Sequence, residues 1–148
     1  MVDYTLLDYY NELFDEYYNF IKENINEDNL FEVNIEKKSP PNIAKFPTII
    51  LKEVKNTNIS RGTSTNAQET TDRVSYQIDI YTKDIIVGST QYPSSKVQDM
   101  IKYLTFNFFL YRGFERSNME TWENMNIVYD RLTLIFVGIL QSWNKQIR

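Results

Sequence analysis

The segment Val74-Ser75-Tyr76-Gln77-Ile78-Asp79-Ile80 alternates apolar and polar side chains along its whole length. Alternation with a period of two is typical of a β-strand that buries one face. Upstream, Phe46–Val54 is rich in β-branched residues and predicts another strand, with Pro47 at a sheet edge or at the strand entry. Leu30–Ile35 alternates in the same way. The middle of the chain therefore predicts a sheet.

A long polar segment, Lys55–Arg73, separates two of these strands and offers almost nothing to bury. Hairpin connections are usually two to five residues long, and loops beyond about 12–15 residues are functional or disordered. The sequence therefore predicts a long hairpin loop at this position, mobile in the free subunit because its side chains cannot offset the entropy of ordering.

Two helices flank these strands in the chain. Leu6–Ile25 repeats apolar side chains at helical spacing and is polar on its other side, which predicts an amphipathic helix. A second helix is expected after Pro93, with Ser95 and Gln98 fitting a capping box and Gly113 ending it. Its predicted core face consists of Val97, Met100, Ile101, Leu104, Phe108 and Tyr111.

The other sides of the second helix are also apolar towards its end, through Tyr103, Phe106, Phe109 and Leu110. A helix that is apolar all round is covered on more than one side, by its own domain or by a partner subunit. Both interpretations, core and subunit interface, are compatible with the sequence.

The last third of the chain predicts a loop, Ser117–Asn124, that carries Trp122, followed by one long strand, Ile127–Leu140. The element order predicts a single α+β domain over residues 1–148. In this fold an N-terminal amphipathic helix precedes an antiparallel or mixed sheet of about four strands with a long hairpin loop. The second helix packs on the sheet.

Composition excludes several classes of function. The 148 residues include no cysteine and no histidine, which removes disulfides, Cys nucleophiles and the commonest general base and zinc ligand. A net charge of -4 argues against adhesive binding to nucleic acid. The longest apolar run, Leu132–Leu140, is far shorter than the roughly 20 residues of a membrane span. The first residues lack the pattern of a secretory signal, so we expect a soluble intracellular protein without membrane contact.

Carboxylate side chains are the remaining candidates for catalysis. Glu53 and Lys55 form an E-x-K pattern found in divalent-metal nucleases, where strand alternation places both side chains on one face, and Asp28 is the nearest acidic mate. This short pattern is common by chance, and solvated strand residues are the simpler explanation. With no calcium loop and no phosphate-binding glycine loop, we expect no catalytic residue, cofactor or metal.

Five features together resemble the tail terminator, or tail-completion, proteins of long-tailed bacteriophages. They are the N-terminal amphipathic helix, the segments Phe46–Ile49 and Val74–Tyr81, the capped helix from Ser95 with Gly113–Arg116 after it, and Tyr129–Phe136. The resemblance spans nearly the whole chain, although Lys37–Lys45 and Gln141–Arg148 depart from it. It implies a small α+β subunit of a six-membered ring that caps the tail tube and joins it to the head, around a DNA channel.

The resemblance also implies partners and a location. The expected partners are other copies of the chain, the tail tube protein and a head-completion or connector protein, with DNA passing through without sequence-specific binding. The expected location is the virion, at the head–tail interface, and the host cytoplasm during assembly. The predicted interface residues are Arg61, Glu69, Asp72 and Arg73 in the long loop, and Tyr103, Phe106, Phe109, Leu110, Arg116 and Arg131 elsewhere.

Three alternatives stay open from the sequence. Another head–tail connector ring or a non-viral partner-binding domain could share these features, and a nuclease would use Glu53 and Lys55. Arg112, Arg116 and Arg131 could form an anion site, but arginines beside aromatic and acidic residues more often form ion pairs or cover apolar surface.

Overall fold

The structure is a computed structural model that describes residues 6–26, 31–38, 45–58, 69–122 and 129–143. Within these ranges the chain forms two helices and seven strands. In chain order the elements are α1 (Leu6–Asn26), β1 (Asn34–Glu36), β2 (Thr48–Asn58), β3 (Glu69–Thr82), β4 (Ile85–Val87), β5 (Thr90–Tyr92), α2 (Ser94–Tyr111), β6 (Glu115–Trp122) and β7 (Asp130–Trp143).

Five strands form one mixed sheet in the order β1-β2-β3-β7-β6, and β4 and β5 form a separate hairpin. β1 pairs parallel with β2, whereas the other neighbouring strands of the sheet pair antiparallel. Both helices pack on one face of this sheet, so the predicted α+β fold with the second helix on the sheet is confirmed.

The alternation along β3 sets the position of the core. Val74, Tyr76, Ile78 and Ile80 have no exposed surface, and the register aligns Tyr76 with Phe136 of β7. On this face, the hydroxyl of Tyr10 from α1 donates a hydrogen bond to the Leu51 carbonyl at 2.6 Å. The predicted amphipathic helix is therefore confirmed as α1, which lies over the central strands.

The start of α2 differs from the predicted capping box. The helix begins at Ser94 after the N-cap residue Pro93, and no side chain caps it from that position. Instead, the backbone N–H of Ser94 donates to a carboxylate oxygen of Asp84 at 2.7 Å. Because the helix begins two residues earlier than expected, Ser95 lies inside it and cannot act as its cap.

The end of α2 matches the expected C′ glycine. Gly113 has φ +84°, and its N–H bonds to the carbonyl of Leu110, while the N–H of Phe114 bonds to that of Phe109, each at 3.0 Å. These two bonds form a Schellman motif, and the accompanying apolar contact is the edge-on packing of Phe114 against Phe109 at 5.6 Å. The motif directs the chain from α2 into β6.

The predicted long loop is shorter than expected. β2 continues to Asn58 and β3 begins at Glu69, so both ends of the segment Lys55–Arg73 belong to a hairpin ladder. Backbone pairing between strands does not require apolar side chains, which is why the polar composition misled the prediction. Residues 59–68 lie outside the described ranges.

Two further strand predictions are corrected. The segment predicted as a loop, Ser117–Asn124, lies largely in β6, which pairs with β7 from Glu115↔Val137 to Trp122↔Arg131. A register shift between Arg116 and Asn118 breaks the period of two that would have revealed this strand. The β4–β5 hairpin, which turns at Gly88 with φ +63°, was also not predicted.

Candidate functional site

The outer face of α2 carries exposed apolar side chains. Tyr103 is 68% exposed and Leu110 51%, and they lie about two turns apart on one stripe of the helix. Tyr111, predicted in the core, is instead 89% exposed. The neighbouring Arg112 places its guanidinium 3.7 Å from the ring centre of Phe108, which is the last buried aromatic before Phe109 on this helix.

Two of the predicted interface aromatics pack against the sheet of their own chain. Phe109 is fully buried and stacks on Phe136 with ring centres 4.6 Å apart, so its ring packs in the core rather than on the surface. Phe106 is half-buried and meets the same Phe136 ring edge-on at 5.5 Å. The side of α2 that faces β7 is thus already covered by the sheet.

β6 extends the exposed surface of α2. The guanidinium of Arg116 lies 5.6 Å from the ring centre of Phe106, and its Nη1 donates to the sulfur of Met119 at 3.7 Å. Met119 is 41% exposed. We call this surface the α2–β6 patch, and it consists of Tyr103, Phe106, Leu110, Tyr111, Arg116 and Met119.

The opposite face of the sheet contains a charged cluster around Asp79, which has no exposed surface. Its carboxylate accepts hydrogen bonds from Thr133 at 2.6 Å, Gln77 at 3.0 Å and Arg131 at 3.3 Å, and Lys52 lies 3.4 Å away. A buried carboxylate is stable when donors and cations surround it, so Arg131 has a structural partner within its own chain.

A metal site of the E-x-K type requires Glu53 and Lys55 on one face of a strand, and β2 does not place them there. Glu53 pairs with Tyr76, but a bulge intervenes and Lys55 pairs with Ser75. Since Ser75 and Tyr76 are consecutive on β3 and face opposite sides, the positions of Glu53 and Lys55 also fall on opposite faces. Asp28 lies outside the described residues. Among the residues that are described, no group of three or more acidic side chains could hold a metal ion.

Glu53 instead belongs to a cluster of tyrosines on the helix-covered face. The hydroxyl of Tyr76 lies 3.5 Å from its carboxylate. Burial, with a further contribution from the Glu53 charge, raises the pKa of Tyr10 to about 12 and raises the pKa of Tyr76 as well. These hydroxyls therefore stay neutral at physiological pH.

The structure describes three of the four long-loop residues that were predicted at an interface. Arg73 is exposed on β3 and lines a groove of about 680 Å³ together with Ser75, Glu115 and Ile139. Glu69 and Asp72 are strand positions of β3, at the end of the hairpin. Arg61 lies outside the described residues.

Sequence comparisons identify no relative. No protein-family model matches the chain, and no curated protein matches it. In the part of the chain that the structure describes, no helix has the length and apolar character needed to cross a bilayer. The fold defines the chain as an α+β domain, and the α2–β6 patch is its candidate interaction site.

Proposed function

We propose that the protein is a structural component of a bacteriophage tail, of the terminator type, that assembles with copies of itself into a ring. The ring caps the tail tube, joins it to the head and lets DNA pass. The observation that carries this proposal is the α2–β6 patch, because a helix that packs into its own core also presents Tyr103, Leu110 and Tyr111 to solvent. Clustered exposed aromatics are enriched at protein interfaces.

The energy of this patch fits reversible assembly. Burying one large apolar side chain contributes about 1.5–3 kcal/mol, so three of them contribute about 5–9 kcal/mol at most. Association costs about 4–15 kcal/mol in lost translational and rotational freedom. A single contact through this patch is therefore weak, and closing a ring, in which every subunit is held on two sides, favours assembly at high concentration.

The charge of the chain is compatible with a DNA conduit. A net charge of -4 gives little non-specific attraction to phosphates, so DNA can pass through without being held. The opposed faces of Glu53 and Lys55 weaken the nuclease alternative. Another connector ring or a non-viral partner-binding domain would use the same patch. Binding of the protein to isolated tail tubes would distinguish a terminator from these two alternatives.

The test is the double variant Tyr103→Ser with Leu110→Ser. Because both side chains are exposed, we expect the fold to persist and the concentration for half-assembly to rise by about tenfold or more. Light scattering across a concentration series measures this. The matched control is Ile86→Ser, which removes a 72% exposed apolar side chain from the β4–β5 hairpin. Equal loss of assembly in the control, or none in the double variant, would contradict the role of the patch.

A further inference from the structure

The buried side of α2 is not its most apolar side. The predicted core face of the helix is the stripe of Val97, Met100, Ile101, Leu104, Phe108 and Tyr111. The residues that the structure buries are instead Val97, Ile101, Thr105, Phe108 and Phe109. At about 100° of rotation per residue, the centres of the two stripes lie about 60° apart. The helix is therefore turned about its axis away from the orientation that its apolar pattern favours.

This turn exchanges two aromatic side chains. It buries Phe109 completely and leaves Tyr111 89% exposed. The two residues lie about 200° apart around the helix, so the orientation that the apolar pattern favours would bring Tyr111 towards the core and move Phe109 out of it. Each orientation thus buries one of two rings of similar size. Apolar burial alone therefore distinguishes the two orientations only weakly.

The observed orientation also places polar side chains on the inner side of α2. Thr105 has no exposed surface. Gln98 lies two turns earlier on the same side, and its amide nitrogen is buried. Burying a polar group costs free energy unless it is hydrogen-bonded. An orientation that buries Thr105 therefore requires a compensating interaction.

Tyr17 of α1 provides this interaction. Its hydroxyl lies 2.8 Å from that of Thr105, which donates to the Ile101 carbonyl at 2.7 Å, so Tyr17 is the donor between the two hydroxyls. Burial raises the pKa of Tyr17, which keeps its hydroxyl protonated. Tyr17 has no exposed surface. If α2 turned by about 60°, this hydroxyl would lose its acceptor while it stayed buried, which is costly.

A second polar contact between the two helices lies at the surface. Arg112 binds Glu16 at 2.7 Å, but the Glu16 side chain is 55% exposed. Solvent screens such a pair, and both charges are hydrated when it breaks. A buried polar pair discriminates between packing arrangements more strongly, as a buried polar residue does when it fixes the register of a coiled coil.

We propose that Tyr17 and Thr105 are positioning residues for the α2–β6 patch. Their hydrogen bond selects the rotation of α2 that presents Tyr111 to solvent beside Leu110. Without this bond, Tyr111 turns towards the core and the patch loses an aromatic ring. The consequence for assembly rests on the proposed function, whereas the rotation of α2 is a property of the single chain.

The test is the double variant Tyr17→Phe with Thr105→Val, which removes both hydroxyls and leaves neither unpaired. Nitration with tetranitromethane in dilute solution, followed by peptide mass spectrometry, reports the exposure of each tyrosine, and the chain has no cysteine to compete for the reagent. We expect Tyr111 to react at least about fivefold more slowly in the double variant. Tyr103 should react at an unchanged rate, because it faces outward in both orientations.

Two further variants test the same hydrogen bond. Tyr17→Phe alone is the milder change and should slow nitration of Tyr111 in the same direction. Thr105→Ser keeps the hydroxyl and should retain the wild-type ratio of Tyr111 to Tyr103 nitration. An unchanged ratio in both folded Tyr17 variants would overturn the inference, and so would an equal shift in Thr105→Ser, since packing rather than the hydroxyl would then set the rotation.

Assembly is measured separately on the same proteins by light scattering. The double variant should need a concentration about tenfold higher for half-assembly than the wild type. A shift in nitration together with a wild-type protein that never assembles would support the role of Tyr17 and Thr105 and contradict the proposed function. A shift in nitration with unchanged assembly would likewise support the rotation, and it would remove Tyr111 from the interface.

Discussion

At the scale of single residues, the cap of α2 is supplied from outside the helix. Ser94 donates its N–H to Asp84, and its hydroxyl donates to Asp130 at 2.6 Å. A carboxylate at a helix N-terminus satisfies an otherwise unpaired donor and interacts favourably with the helix dipole. The S-x-x-Q pattern at Ser95 therefore predicted the start of α2 to within one helical turn, but it assigned the wrong residue as the cap.

We predict that Asp84→Ala lowers the free energy of unfolding by about 1 kcal/mol, because loss of an N-cap partner costs about 0.5–2 kcal/mol. Ser95→Ala, at the residue of the predicted capping box, should change it by less than about 0.5 kcal/mol. Urea denaturation of both variants measures the difference. A larger loss for Ser95→Ala than for Asp84→Ala would show that the helix begins where the sequence pattern placed it.

At the scale of elements, Arg112 joins the C-terminal end of α2 to the middle of α1. Its guanidinium covers the Phe108 ring, donates to the Phe108 carbonyl at 3.2 Å and binds the Glu16 carboxylate at 2.7 Å. The ion pair alone is weak because Glu16 is half exposed to solvent. The contact over the ring adds to it, since Arg stacked on an aromatic face contributes about 0.5–1 kcal/mol.

We therefore expect Arg112→Ala to lower the free energy of unfolding by about 1–2 kcal/mol in total. The control is Lys102→Ala, which removes an exposed pair with Asp99 on the same helix and should cost at most about 0.5 kcal/mol. Thermal melting followed by circular dichroism compares the two. Equal effects would mean that Arg112 acts as an ordinary surface charge.

Elements with regular periods were predictable, and those that break the period were not. α1 and the centres of β2, β3 and β7 follow their hydrophobic patterns, because one face of each packs in the core. β6 escaped prediction because its bulge shifts the alternation, and the bulge in β2 likewise separates Glu53 from Lys55. Local patterns do not encode the register between strands that are distant in sequence.

The candidate site was predictable in part. Tyr103 and Leu110 were expected at a surface and are exposed, whereas Phe109 of the same apolar helix end is buried against Phe136. Sequence periodicity gives the angle of each side chain around a helix but not which neighbour, α1 or the sheet, covers each side.

At the scale of the whole molecule, the described residues present the α2–β6 patch as the candidate interaction surface. The patch is largely apolar and lies on the helix layer. Under the proposed function, head-to-tail contacts through this patch would close into a ring when the rotation between neighbours allows it.

Electron microscopy of the concentrated protein tests this central claim most directly. The account predicts closed rings with a central channel, which dissociate on dilution and attach to the ends of isolated tail tubes. Particles of monomer size at every concentration, together with bare tube ends after mixing, would contradict the account.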